Sequence, residues 1–186
     1  MDKDREKETD EVLYKRFLVQ RREEDLAILL DRHKDGLILF LNGYVHNLDD
    51  AEELTLDAFA QAASGRSLFA GKSSFRTWLY SIGKNKALMY LRKKRPHVTL
   101  SEAGELSTGH HPELELIREE QFRALYLAME DLKEDYRRIL FLLYFEEVSY
   151  DEAARIMGKS KKQVYHLAQR GKDALKTTLE RNGFEI

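Results

Sequence analysis

The chain has 186 residues, a formal net charge of −2, 42% hydrophobic and 34% charged residues, and no cysteine. The lack of cysteine excludes disulfide staples, thiolate metal ligands and cysteine nucleophiles. No apolar run approaches the length of a membrane span, and the charged N-terminus lacks the apolar core of a signal peptide. The sequence therefore predicts a cytoplasmic protein without membrane insertion, built as one medium domain or two small ones.

The charges lie in blocks along the chain. Positions 64–98 hold nine basic residues and no acid, and positions 153–179 hold seven basic residues and one acid. Positions 101–135, between them, hold ten acids and three bases, a net charge of −7. A single basic run is usually a solvated helix face. Two runs with so few acids favour two separate surfaces that bind a polyanion, and nucleic acid is the typical one.

Apolar residues recur at steps of three and four along the first half, which predicts amphipathic helices. The first stripe runs through positions 26–45. The next helix is predicted to start at Asp49, with Glu52 completing a variant capping box, and its buried stripe is Ala51, Leu54, Ala58, Phe59 and Ala62. A third helix is predicted after a cap at Ser73 or Ser74, with an inner face of Phe75, Trp78, Leu79, Ile82 and Met89. Cations and Pro96 end it.

Periodicity disappears at positions 96–112, which contain both prolines of the chain. This composition predicts a flexible linker and therefore a domain boundary. The predicted organisation is a first domain at 1–95, the linker at 96–112 and a second domain at 113–186. Helices are expected near 114–129 and 134–145, followed by two short ones. No strand period extends beyond a few residues, so the predicted fold class is all-α, with two small helical domains.

The strongest functional signal is a helix-turn-helix near the C-terminus. Such a motif needs a small residue where its helices cross, a glycine at the turn and a branched apolar anchor. These stand at the required spacing as Ala154, Gly158 and Val164. Each helix has a predicted capping box, formed by Ser149 with Glu152 and by Ser160 with Gln163. The alternative is an ordinary helical hairpin with a basic outer face; the spacing and the two caps favour DNA binding.

The first half combines its basic run with aromatic residues, namely Phe69, Phe75, Trp78, Tyr80 and Tyr90. Cations next to aromatic rings suit single-stranded nucleic acid, because any base can stack on a ring while phosphates are neutralised. A stripe of aromatics at helical spacing is more often core, and Phe75 and Trp78 fit that interpretation. Phe69 lies in a loop flanked by glycines, so it is predicted to contact bases, with a core position as the open alternative.

These residues carry a resemblance to a known family. The run FRTWLYSIGKN at 75–85, followed by LRKKR at 91–95, resembles the promoter-melting and −10 recognition region of extracytoplasmic-function sigma factors of the sigma-70 family. Upstream, DAEEL at 50–54 and DAF at 57–59 resemble the polymerase-binding helix of that family. Downstream, positions 132–175, with VSYDEAA at 148–154, resemble its −35-binding domain. The motifs occur in the family's order on either side of the linker.

The resemblance implies a role for each half, corresponding to sigma region 2 and sigma region 4. The first half would dock on the clamp helices of the largest subunit of core RNA polymerase through Asp50, Glu53, Leu56 and Asp57. It would recognise and melt the −10 element through Phe69, Gly71, Lys72, Ser73, Trp78, Lys84, Asn85 and Arg92. The second half would read the −35 element through Lys159, Ser160, Lys161, Lys162, Gln163, His166 and Arg170. An anti-sigma factor is the implied regulator, and promoter DNA the implied ligand.

Three parts of the sequence depart from the family pattern. Leu56 replaces a frequent glutamine in the polymerase-binding helix, and the loop at 69–74 lacks the arginine and aspartate that commonly flank its glycine. In the recognition helix, Tyr165, His166 and Leu167 replace a basic and hydroxyl-rich set. The promoter sequences recognised by better-known members therefore do not transfer to this chain.

Three other classes of protein compete with this interpretation. A conventional helix-turn-helix regulator with an N-terminal sensing or dimerisation domain would bind DNA without polymerase, and its sensor would not need the acid-free aromatic block. An adaptor that only binds polymerase would not need the helix-turn-helix. For an enzyme, the sequence shows no glycine-rich loop, metal-spaced cluster or nucleophile with its base. No catalytic activity, metal or cofactor is predicted.

Overall fold

The computed structural model describes residues 8–65, 69–94, 112–117 and 120–181. These ranges contain helices and connecting turns and no strand, which confirms the predicted all-α class. The first half consists of α1 (Asp10–Gln20), α2 (Glu23–Val45), α3 (Leu48–Ala63) and α4 (Phe75–Lys94). The second half consists of a 3-10 turn (Pro112–Leu116), α5 (Glu120–Glu130), α6 (Glu134–Tyr144), α7 (Tyr150–Met157) and α8 (Lys161–Arg181). None of the described helices is long and apolar enough to cross a membrane.

Helix α1 is not among the predicted helices. Its buried face consists of only three residues, Leu13, Tyr14 and Phe17, which give a weak periodic pattern. A charged contact holds it against α2. The guanidinium of Arg16 donates to Asp25 at 2.7 Å, and the Asp25 side chain is fully buried. A buried carboxylate needs such a partner, since an unpaired buried charge costs several kcal/mol. The remaining core of the first half consists of the predicted stripes of α2, α3 and α4.

Two details of the predicted helices are wrong. Helix α3 is capped by Asn47 and not by Asp49, because Asn47 has extended backbone angles and its side chain accepts the Asp50 N–H at 2.9 Å. Met89 is 57% exposed, since the inner face of α4 continues through the fully buried Ala87 instead. The start of α4 is confirmed, because the Ser74 hydroxyl accepts the Thr77 N–H at 3.2 Å.

The helix-turn-helix of the second half forms as predicted. Ser149 and Glu152 make a reciprocal capping box at the start of α7, and Gly158 ends that helix with φ of +66°, a conformation that favours glycine. Helix α8 has 21 residues and is not the short helix predicted. It continues through Gly171, which faces α6 at a point where an added Cβ would lie 3.3 Å from Leu140 Cγ. The glycine thus allows close packing.

The two halves pack against each other through α2 with α6 and α4 with α7. The Phe40 and Phe141 rings stack with centroids 6.3 Å apart, and the Arg138 guanidinium lies 3.8 Å from the Tyr44 ring centroid. We call this surface the interdomain contact. It is formed by Phe40, Tyr44, Ser74, Arg76 and Thr77 of the first half and by Arg138, Phe141, Glu146, Glu152 and Arg155 of the second.

Candidate polymerase and DNA interfaces

The predicted polymerase-binding residues share the outer face of α3. The buried stripe of this helix contains Ala51, Leu54, Ala58, Phe59 and Ala62, as predicted, and it turns the intervening positions outward. Glu53 and Asp57 are exposed, Asp50 is half-buried, and Leu56 is 49% exposed. An acidic face with one apolar side chain suits a partner surface that offers cations around an apolar contact.

A tyrosine and two lysines of α4 contact two of these acids across a shallow groove. The Tyr90 hydroxyl donates to Asp50 Oδ2 at 2.6 Å, and this carboxylate raises the pKa of Tyr90. Lys94 Nζ lies 3.5 Å from the same oxygen, and Lys86 Nζ lies 3.4 Å from Asp57 Oδ2. Ion pairs with exposed partners contribute about 1 kcal/mol at most. The ion pairs of Asp50 with Lys94 and of Asp57 with Lys86 can therefore be broken at small cost when a partner protein binds.

The loop before α4 carries the residue assigned to base capture. The Phe69 side chain is half-buried, and its ring packs on Tyr14 at 5.8 Å, Trp78 at 5.3 Å and Phe75 at 6.3 Å between centroids. Phe69 and Trp78 thus belong to an aromatic cluster that joins the loop to the core, and the role of Phe69 toward bases stays a prediction. Gly71 has φ of +67° and open space around it, so the loop tip is free to approach a ligand.

The other −10 candidates divide into an exposed and a half-buried group. The side chains of Lys72, Asn85 and Arg92 are exposed, whereas Ser73 and Lys84 are half-buried. Burial lowers the pKa of the Lys84 ammonium, and the nearby Lys159 lowers it further. A Cβ added at Gly158, the residue before Lys159, would lie 3.1 Å from Lys84 Nζ. The structure thus brings a predicted −10 residue close to the predicted −35 segment.

Helix α7 covers the first turns of α4. Glu152 Oε1 accepts hydrogen bonds from Ser74 Oγ at 2.8 Å and from Thr77 Oγ1 at 3.1 Å, and Arg155 donates to the Lys72 carbonyl at 2.9 Å. Burial alone would raise the pKa of Glu152, but hydrogen bonds from Ser149, Ser74 and Thr77 lower it to about 2. This carboxylate therefore stays ionised and serves both the α7 cap and the interdomain contact.

A second carboxylate lies deeper in the same contact. The side chain of Glu146 is 12% exposed, and its Oε2 lies 3.6 Å from Arg76 Nη1. Arg76 also donates to the Glu146 carbonyl at 2.6 Å. Burial raises the pKa of Glu146 against the opposing influence of Tyr80 and Arg76, and burial beside this carboxylate raises the pKa of Tyr80.

The predicted −35 residues stand at the exposed start of α8. Val164 and Ala168 are fully buried against the rest of the second half, which turns Lys161, Lys162, Gln163, His166 and Arg170 outward. The Gln163 side chain accepts the Ser160 N–H at 2.8 Å, while Ser160 Oγ accepts the Gln163 N–H at 3.2 Å. The predicted capping box is confirmed. It occupies the side-chain carbonyl oxygen of Gln163.

Two of the predicted −35 residues have acidic neighbours within the second half. Lys159 Nζ lies 3.2 Å from Asp135 Oδ2, and Lys161 Nζ lies 2.8 Å from Asp151 Oδ2. Such pairs between partly exposed groups are weak and screened by salt, so each can be broken at small cost.

The fold and these surfaces define a class of protein: an all-helical DNA-binding protein with a C-terminal helix-turn-helix. Family models give the particular family, since residues 29–97 match "Sigma-70 region 2" and residues 122–175 match "Sigma-70, region 4". RNA polymerase sigma-H factor of Pseudomonas aeruginosa is 35% identical to the chain, with 81% of this chain and 83% of the relative covered. ECF RNA polymerase sigma-E factor of Escherichia coli is 31% identical, with 80% and 83% covered. The chain belongs to the extracytoplasmic-function sigma factors of the sigma-70 family.

A further relative and two solved structures are similar to the chain over most of its length. RNA polymerase sigma factor YlaC of Bacillus subtilis is 27% identical, with 87% of this chain and 96% of the relative covered. CnrH, solved with the cytosolic domain of CnrY, has a TM-score of 0.65 at 22% identity and covers 95% of this chain and 100% of its own. The sigma factor RpoE of Bartonella quintana, solved with the anti-sigma factor NepR, has a TM-score of 0.67 at 23% identity, with 84% and 98% covered. These similarities support the fold.

Proposed function

We propose that this protein binds core RNA polymerase and directs promoter-specific transcription initiation by recognising −10 and −35 elements. The observation that carries the proposal is the combination of three surfaces in one chain: an acidic outer face on α3, the basic loop and α4 behind it, and an exposed basic recognition helix. A conventional regulator needs only the last of these. Membership of the sigma-factor family supports the same conclusion.

Each surface has a distinct chemical task. The α3 face, with Asp50, Glu53, Leu56 and Asp57, docks on the clamp helices of the largest polymerase subunit. The loop and α4 bind the −10 strand, with cations on phosphates and aromatic rings available for stacking. The start of α8 enters the major groove at the −35 element, where Lys161 and Arg170 contact the backbone while Lys162, Gln163 and His166 reach base edges.

Binding both elements at once requires the interdomain contact to open. Elements named −35 and −10 lie about 25 base pairs apart, roughly 85 Å at about 3.4 Å per pair. The 17 residues of the predicted linker at 96–112 span at most about 60 Å when extended, and the domains themselves cover the remainder. The halves touch in the free chain, so binding to polymerase must separate them and hold them apart.

An anti-sigma factor is the regulator that fits this arrangement. The two structurally similar sigma factors were each solved with such a partner or a partner domain. We call the form in which the two halves touch the closed form. A protein that binds this form either covers α3 or stabilises the interdomain contact. In both cases it prevents polymerase from separating the halves.

The deciding experiment is run-off transcription from a genomic promoter library with purified core polymerase, with and without the protein. We expect discrete transcripts that require the protein and share two elements at a fixed spacing. The same promoter fragments are then tested in a gel shift with the protein alone. Strong sequence-specific binding without core polymerase, together with no protein-dependent transcripts, would support the conventional regulator instead.

A further inference from the structure

Two tyrosines form an exposed apolar surface beside the recognition helix. Tyr150 is the first residue of α7 and Tyr165 lies on the second turn of α8, with ring centroids 5.9 Å apart. Tyr165 is 50% exposed, and its ring meets that of His166 at 6.0 Å and 73° on another side. The rings of Tyr150 and Tyr165, with the stems of Lys161 and Lys162, line a shallow concave surface that is almost wholly apolar. We call it the tyrosine shelf.

The position of the tyrosine shelf indicates its ligand. Lys161 and Lys162 precede Tyr165 by four and three residues, so all three side chains project from the same side of α8. Lysines at this end of the helix attract a polyanion, and a ligand held there brings its neighbouring groups against the rings. The ligand must therefore combine phosphates with a small apolar group. In the major groove of a DNA duplex, the only apolar group on a base edge is the C5-methyl of thymine.

We propose that the tyrosine shelf binds the C5-methyl group of a thymine in the −35 element, which makes Tyr165 a specificity-determining residue. The inference rests on the proposed function, because it places the start of α8 in the major groove. Tyr150 is a positioning residue that supports the Tyr165 ring from α7. The shelf adds a preference for thymine to the hydrogen-bonding side chains at the start of α8, and this preference follows from a tyrosine at position 165 of this chain.

Deoxyuridine tests the proposal, since it differs from thymidine only by the missing methyl group. Duplexes are selected from a random pool with the full chain, in the presence and in the absence of core polymerase, and each thymine of the selected −35 element is replaced in turn. Burying one methyl contributes about 0.8 kcal/mol, which corresponds to about a fourfold change in affinity. We expect a loss of about fourfold at one position, or at two adjacent ones, and none at the others.

Variants assign the effect to the shelf. With Tyr165→Ala the sensitive position should become indifferent to deoxyuridine, whereas Tyr165→Phe keeps the ring and should keep the sensitivity. Tyr144→Ala is the matched control, because Tyr144 is a 39% exposed tyrosine of the same half that lies on α6 near Lys172. It should leave the profile unchanged. Thermal unfolding of each variant verifies that the second half is folded.

Three results would overturn the proposal: a selected element without thymine, a deoxyuridine profile that Tyr165→Ala leaves intact, or an equal loss on all sequences with both Tyr165→Ala and Tyr165→Phe. The last would mean that the hydroxyl contacts a phosphate. Failure of the proposed function would show separately, as a lack of protein-dependent transcripts. The selection without core polymerase tests the shelf whether or not transcription occurs.

Discussion

Two glycines of α2 offer a direct test of the interdomain contact. A Cβ added at Gly36 would overlap Glu146 Oε1 and lie 2.6 Å from the buried hydroxyl of Tyr80. At Gly43, seven residues further along the same helix, the nearest side-chain atom would be Arg138 Cγ at 3.9 Å, an ordinary contact. Gly36→Ala and Gly43→Ala are therefore the same chemical change on one helix, and only the first requires Glu146 of the second half and Tyr80 of the first half to move.

The magnitudes follow from these contacts. Alanine for glycine inside a helix stabilises it by about 0.5–1 kcal/mol, so we expect Gly43→Ala to raise the free energy of unfolding by that amount. Gly36→Ala gains the same helix stability, but it displaces the Glu146 carboxylate from Arg76, 3.6 Å away. A largely buried charged group deprived of its partner costs about 1–3 kcal/mol. The contact with Tyr80 lies within the first half and is present in both forms, so the closed form should lose roughly that much relative to the open form.

The assay is single-molecule energy transfer between dyes on the two halves. The chain lacks cysteine, so Val19→Cys and Lys176→Cys introduce unique labelling sites at positions whose side chains are 75% and 61% exposed. With a tenfold change for each 1.4 kcal/mol, we expect Gly36→Ala to raise the ratio of open to closed molecules by roughly fivefold to a hundredfold. Gly43→Ala should leave it unchanged. Identical transfer distributions for the two variants would refute the packing of Glu146 against α2.

Three further predictions follow from the candidate interfaces. Asp50→Lys combined with Glu53→Lys should abolish binding of core polymerase in a pull-down while circular dichroism stays unchanged; retained binding would contradict the α3 assignment. Phe69→Ala should lower the free energy of unfolding by about 1–3 kcal/mol, less than for a fully buried ring, and a promoter that is bound but not opened would support base capture. Because the pKa of Glu152 is lowered to about 2 from 4.5, its stabilisation should be present above pH 4.5 and lost as the pH falls toward 2. Denaturant unfolding at several pH values should show a flatter profile for Glu152→Gln.

Helix caps and buried helix faces depend on residues close together in the sequence, so they could be predicted from the sequence. The two capping boxes join residues three positions apart, and the buried stripe of α3 follows from helical geometry alone. The exposure of Lys161, Lys162 and His166 follows in the same way, because burial of Val164 and Ala168 fixes the rotation of α8. Such local rules fail where two signals compete. Asn47 and Asp49 are both favourable N-cap residues, and in the structure Asn47 caps the helix.

Features set by distant residues could not be predicted. Arg76 with Glu146, and Ser74 with Glu152, join positions 70 and 78 residues apart, and no periodic pattern encodes such pairs. The environment of Phe69 is of the same kind, since its contact with Tyr14 depends on α1, whose short apolar face gives little sequence signal. The tyrosine shelf likewise requires the packing of α7 on α8, although Tyr165 on the outer face of a basic helix is a visible signal.

Promoter opening is the step that separates a sigma factor from a regulator that only binds DNA. On a promoter mapped by run-off transcription, permanganate oxidises thymines that have become unstacked. We expect reactive thymines near the −10 element when the protein and core polymerase are present together, and none with either alone. The reason is that polymerase must separate the two halves before the first half can hold a melted strand. Equal reactivity with core polymerase alone, or a duplex that stays closed with both present while the protein is bound, would contradict it.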